Sequence, residues 1–109
     1  MTAMSDDTTT LVDVFGELPI EPGKIGHHTV LSVGGTRVIA LSFDQGQEMR
    51  EHKTQHPILL QTLDGHVRIT ADGQSHDLRP GSVLYLPAAL PHAVEAIEPS
   101  RLTITPFGL

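Results

Sequence analysis

The sequence predicts an all-β domain, a sandwich or barrel of short strands with little helix. Three observations carry that prediction. From Gly16 to Pro99, glycine and proline interrupt the chain about every ten residues, the punctuation of a strand-rich fold. The pieces between these breaks are short and rich in β-branched residues, so no interval can hold a long amphipathic helix. In His66-Val67-Arg68-Ile69-Thr70-Ala71 the odd positions are apolar and the even ones polar, the period of a strand with one buried face.

The elements follow in chain order. Residues 1–10 are polar and threonine-rich, without apolar anchors, and are expected to stay flexible. A single folded domain is expected over residues 11–109, beginning with a short strand from Leu11 to Phe15. Thr29 to Val33 and Thr36 to Phe43 flank Gly34-Gly35, which reads as a hairpin turn. A phosphate loop there would want a following helix and a lysine, and the sequence offers neither. In Ile58-Leu59-Leu60-Gln61-Thr62-Leu63, Ile58 and Leu60 share one face while Leu59 and Leu63 occupy the other. That strand is expected to line a cavity on one side and to meet another sheet or a second copy of the chain on the other. After His66 to Ala71, Asp72-Gly73 supplies a hairpin turn, because both residues tolerate positive φ. Gln74 to Arg79 then returns, Pro80-Gly81 turns again, and strands at Ser82 to Leu86, His92 to Ile97 and Arg101 to Phe107 complete what reads as a meander. The sequence contains no internal repeat, low-complexity tract or linker.

Composition excludes several functions. A chain of 109 residues accommodates one compact domain. With 13 acidic and 7 basic side chains, a net charge of -6 and no Lys/Arg run, the chain is not expected to bind nucleic acid by itself. Seven histidines make its charge sensitive to mild acid. The absence of cysteine removes disulfides and thiolate chemistry, so a metal would have to be held by nitrogen and oxygen. The N-terminus lacks the basic start and apolar run of a secretory signal, and no apolar stretch approaches the length of about 20 residues that spans a bilayer. The expectation is a soluble cytoplasmic protein with no membrane partner.

Two spaced motifs over residues 46–96 carry more specific information. The second runs from Gly81 through five residues to Pro87, then Ala89 and His92, with Ala96 beyond. The first runs from Gly46 through five residues to His52, then Thr54 and Ile58, and closes at Gly65. In glycine frame and spacing these resemble the two motifs of the cupin superfamily, over roughly residues 36–107, which implies an RmlC-like double-stranded β-helix, or jelly-roll, barrel. Ala89 stands where the family usually has glycine, Ala96 where it has asparagine, Thr54 at its second histidine and Ile58 at its glutamate. In metal-bearing members, two histidines and a glutamate of the first motif and one histidine of the second surround the ion. Only His52 and His92 correspond here.

Two imidazoles fall short of the three protein ligands that such ions usually require. His56 is the leading third candidate, since residues 52, 54 and 56 share strand parity. Gln61, if a bulge intervenes, and Glu48, which has the parity of His52, are weaker ones. The alternative is that His52 and His92 are cavity polar groups bonded to a ligand, to water or to backbone carbonyls. His27-His28, His66 and His76 read as solvent-facing, Tyr85 as either a core residue or a cavity donor, and Met49 as packing or a soft wall. The favoured reading is a small cupin with a degenerate metal site that binds a small molecule, walled by Ile58 and Leu60 and anchored by His52, His92 and Tyr85. The other is a metal-dependent enzyme of dioxygenase or isomerase type, with one Zn, Fe, Mn, Ni or Cu on His52, His56 and His92. The resemblance also implies a homodimer, with the two-sided strand at 58–63 and the segment Leu11 to Phe15 as its interface.

Overall fold

A computed structural model describes residues 9–107. It contains nine strands and one short helix: α1 (Val14–Glu17), β1 (Gly26–Val33), β2 (Thr36–Phe43), β3 (Glu48–His52), β4 (Ile58–Asp64), β5 (Val67–Ala71), β6 (Gln74–Leu78), β7 (Val83–Leu86), β8 (His92–Ala96) and β9 (Ser100–Pro106). All strand pairs are antiparallel, in a five-stranded sheet ordered β1-β2-β9-β4-β7 and a four-stranded sheet ordered β3-β8-β5-β6. The two sheets face each other as a jelly-roll barrel of a single domain.

Two hairpins behave as their turn residues dictate. Gly34 and Gly35 both have positive φ, as do Asp72 and Gly73, the requirement of a two-residue turn whose twist matches the strands it joins. The meander, however, is not what forms. Only β1–β2 and β5–β6 pair with their sequence neighbours; β6 gives way to β7 in the opposite sheet, and β8 enters between β5 and β3. Alternation fixes which face of a strand is buried but carries no information about its partner, so the crossings between sheets escaped the sequence.

The core lies between the sheets. Leu41, Phe43, Ile58, Leu60 and Leu102 from one sheet meet Val67, Ile69, Ala71, Val94 and Ala96 from the other, all buried. The predicted alternation in β5 is realised, with Val67, Ile69 and Ala71 inward. Each Val, Leu, Ile or Phe side chain among them contributes roughly 1.5 to 3 kcal/mol by leaving water.

A second, smaller cluster sits on the outer face of the five-stranded sheet and corrects the N-terminal expectation. Residues 11–15 form no strand: the chain is irregular to Asp13 and then makes the single helical turn α1. Val12, Val14 and Leu18 pack on Val30 and Ala40, while Leu11 points away, 97% exposed. Arg101 fastens this segment. Its Nε donates to the Leu18 carbonyl at 2.8 Å, its NH1 group lies 2.7 Å from Asp64 Oδ2, and its guanidinium stands 5.1 Å from the Phe15 ring centroid. The segment thus packs on its own sheet and offers no strand edge of the kind expected of it. The flexible segment expected over residues 1–10 falls almost wholly outside the described residues.

Strand β4 is also less two-sided than expected. Ile58, Leu60 and Thr62 are buried, whereas Leu59 and Leu63 are half-buried and Gln61 is exposed. Its outward face continues into Val83 and Tyr85 of β7, both exposed, and into Phe107, whose ring lies 5.8 Å from that of Tyr85.

Candidate functional site

The mouth of the barrel holds a cavity of about 290 Å³. Its floor is apolar, formed by Ile39 and Leu41 of β2, Met49 of β3, Ile58 of β4, and Ile104 and Pro106 of β9. These residues meet because β9 lies between β2 and β4, with Ile39 paired to Ile104 and Ile58 to Pro106. The rim is polar: His27, Arg37, His52 and His56, with Thr54 and Gln55 between the last two.

A bulge decides how His52 reaches that rim. β3 pairs with β8 through Glu48–Glu95 and Met49–Val94, then slips before His52–His92. Without the slip, Met49 and His52 would point to opposite faces; with it, both face the cavity. The same slip removes Glu48, which parity had grouped with His52, to the outer surface, beside a shallow groove with Arg68 and Glu95. Beyond β3 the chain is a loop, so parity no longer applies to Thr54 and His56. The Thr54 hydroxyl donates to the His56 carbonyl at 3.0 Å, and the Thr54 carbonyl accepts from the Ala89 N–H at 2.8 Å, which moors this loop to the turn ahead of His92. Ala89 has φ of 65°, the left-handed conformation that explains why glycine is usual there. Gly65 serves another end: a Cβ on it would strike the Pro99 carbonyl oxygen and Ser100 Oγ, so the chain passes there only without a side chain.

His52 and His92 are cross-strand neighbours whose rings meet edge to face, 4.4 Å between centroids. Each Nδ1 lies against a carbonyl two residues earlier, His52 on Arg50 at 2.9 Å and His92 on Leu90 at 3.0 Å. A carbonyl can only accept, so both Nδ1 atoms carry a proton, and in a neutral ring this tautomer leaves the lone pair on Nε2. The two differ in setting. His52 is exposed at the rim, whereas His92 is 2% exposed and sits behind it, off the cavity wall. Burial lowers the His92 pKa, opposed by the Leu90 bond and aided by the neighbouring His52, so His92 is neutral at pH 7.

The remaining sequence candidates are dispersed. Ile58 is in the cavity wall, but Leu60 lies one pair deeper in the closed core. Tyr85 is neither core nor cavity residue; it stands on the outward face of β7, 52% exposed. Gln61 also points outward, and no bulge at that point of β4 turns it inward. His66, expected in solvent, is buried, its Nε2 bonded to Asp77 Oδ1 at 3.0 Å beside the Arg68 contact to the same oxygen at 2.9 Å. Those bonds, His66 first and Arg68 second, hold the Asp77 carboxyl below its usual pKa. Among the described residues, no three His, Cys, Asp or Glu side chains are placed to hold a metal ion. His56 lines the same cavity as His52 but does not complete such a set.

Sequence reasoning missed three rim residues, Arg37, His27 and Gln55. Arg37 has the parity of Ile39 and Leu41 on β2, a signal that was available. His27 is paired with Leu41, and one member of an adjacent pair on a strand had to face inward.

The family model of the cupin domain matches residues 39–106. The chain belongs to the cupin family. Solved structures agree on the fold: this cupin superposes on a Streptococcus pyogenes protein of unknown function with a TM-score of 0.81 at 23% identity, covering 97% of this chain and 94% of that one. A cupin superfamily protein of Desulfitobacterium hafniense gives 0.78 at 22% identity, with 84% of each chain covered. KdgF of a Halomonas species gives 0.68 at 25% identity, with 79% of this chain and 80% of that one covered. No curated protein matches this cupin. Among its described residues no helix is long and apolar enough to cross a membrane.

Proposed function

We propose that this cupin binds a small molecule in the barrel mouth and does so without relying on the family's metal centre. The cavity carries the reading: an apolar floor under a few convergent polar groups, the usual composition of a ligand site, at about 290 Å³. Thr54 and Ile58, which line that cavity, occupy the positions at which metal-bearing relatives have a histidine and a glutamate, and neither side chain donates as those do. The test uses the isoleucine and methionine methyl groups as reporters in NMR spectra, titrated with small alcohols, amides and carboxylic acids. Binding should shift Ile39, Met49, Ile58 and Ile104 and spare Ile97, which lies outside the barrel mouth. If no compound in the set moves the four, the reading fails.

One observation favours the second reading, a metal-dependent enzyme. Fixing Nδ1 on a backbone carbonyl and leaving Nε2 free is what metal-ligating histidines commonly do, and His52 and His92 both do it. A divalent ion there would polarise a bound oxygen or carbonyl. Elemental analysis of tag-free protein after incubation with Zn, Fe, Mn, Ni and Cu separates the readings: stoichiometric metal, lost in His92→Ala, would establish the second and displace the first.

Self-association belongs to the same reading. The apolar side chains left exposed on β7, Val83 and Tyr85, with Phe107 beside them, support a pairing of two copies through this face.

A further inference from the structure

We propose that the barrel mouth selects small organic anions, with a carboxylate head on Arg37 and a short apolar body on Ile39, Ile58 and Ile104; the inference rests on the cavity-binding reading and names its ligand class. The charge distribution is the first reason. The chain has 13 acidic residues and a net charge of -6, yet no Asp or Glu lines the cavity, whose titratable groups are Arg37 and three histidines. A cationic ligand would find no countercharge there, and a negative one would meet no repulsion at close range.

The state of Arg37 is the second reason. Its strand position turns it the same way as Ile39 and Leu41, over the cavity. Arg68 and Arg101 are each engaged by an aspartate, Asp77 and Asp64. Among the described residues, no carboxylate or carbonyl accepts from the Arg37 guanidinium, and Arg37 lines the mouth of the cavity. A guanidinium's fork of N–H donors matches a carboxylate in shape and is charged at every accessible pH. The His27 and His56 rings beside it likewise bond to no described residue, and a neutral imidazole still offers one N–H. An apolar floor under these donors lowers the local dielectric and strengthens a charge-assisted bond above it.

Size and charge number then narrow the class. At about 290 Å³ the cavity is at the small end of ligand sites, which run from about 300 to 1,000 Å³. One guanidinium balances one negative charge. The floor of three isoleucines, a leucine, a methionine and a proline suits an aliphatic or aromatic body better than a sugar.

Calorimetry with matched pairs tests this: hexanoate against hexanamide, and benzoate against benzamide, at constant ionic strength and at a pH well above the ordinary imidazole value of about 6.5. Each acid should bind about tenfold or more tightly than its amide. Arg37→Ala should erase that preference while the amide affinity changes little, and Arg37→Lys should keep part of it. Thermal melts of both variants verify that they fold. Equal binding of acids and amides, or a preference that survives Arg37→Ala, would overturn the anion inference while leaving cavity binding intact. If neither series binds, cavity binding falls and takes the inference with it.

Discussion

Replacing Thr54 by His and Ile58 by Glu in one variant restores the two side chains that the cupin pattern has and this chain lacks, and the cost and recovery can be worked out in advance. Ile58 is 3% exposed, so exchanging it for glutamate forfeits most of the roughly 1.5 to 3 kcal/mol that burying an isoleucine contributes. The new carboxylate is partly desolvated against the cavity floor, which costs about 1 kcal/mol or more unless an ion compensates it. The metal-free variant is therefore expected to be less stable by about 2 to 4 kcal/mol, a fall in Tm of roughly 10 to 25 °C for a domain of this size. His52, Thr54 and Ile58 share the cavity and His92 packs on His52, so the variant should present three imidazoles and a carboxylate to one ion. Zinc or manganese at a hundred times Kd then returns about 2.7 kcal/mol, most of the deficit. Circular dichroism melts with and without each ion read this directly, and calorimetry gives the stoichiometry. Equal melting with and without metal, and no further change when His92→Ala is added, would refute the expectation that these four side chains can share one ion.

Arg101→Ala should cost about 2 kcal/mol and raise amide exchange over residues 11–18, since it removes the bond to Leu18 and strands Asp64; a loss below about 0.5 kcal/mol with unchanged exchange would show that α1 holds without the clasp. Ala89→Gly relieves a left-handed alanine and should stabilise the protein by about 0.5 kcal/mol after allowing for the freer unfolded chain, measured by urea unfolding. The pKa of His92 is lowered in the folded state, so its contribution to stability is complete above the unfolded value of about 6.5 and declines as pH falls from there toward the folded pKa; His92→Gln should flatten that part of the stability curve, and an unchanged slope would contradict it. Asp77 acts at lower pH with the usual carboxylate sign: its lowered folded pKa stabilises above the unfolded value of about 3.9 and the benefit is lost as pH falls through the folded pKa, a loss that Asp77→Asn should remove. Tyr85→Glu should reduce the sedimenting mass to one chain if the exposed face of β7 joins two copies, and an unaltered mass would place the contact elsewhere.

What the sequence determined by itself was local. Turn chemistry at Gly34-Gly35 and Asp72-Gly73, alternation in Val67 to Ala71, and the spacing of Gly46, His52, Gly65, Gly81, Pro87 and His92 established an all-β cupin barrel, because positive φ and a period of two depend only on neighbouring residues. Tertiary structure decided which groups share a place. The slip between Met49 and His52 exchanged Glu48 for His52 at the cavity, and no count of parity along the chain could register it, since a bulge is defined by the partner strand. The pairing of β9 between β2 and β4 brought Ile39, Ile58 and Ile104 together and set Arg37 and His27 at the rim, while the same sheet turned Tyr85 outward. The cavity is thus lined by residues from β1, β2, β3, β4 and β9 and from the loop after β3, and its charge emerged only when segments distant in sequence closed around one space.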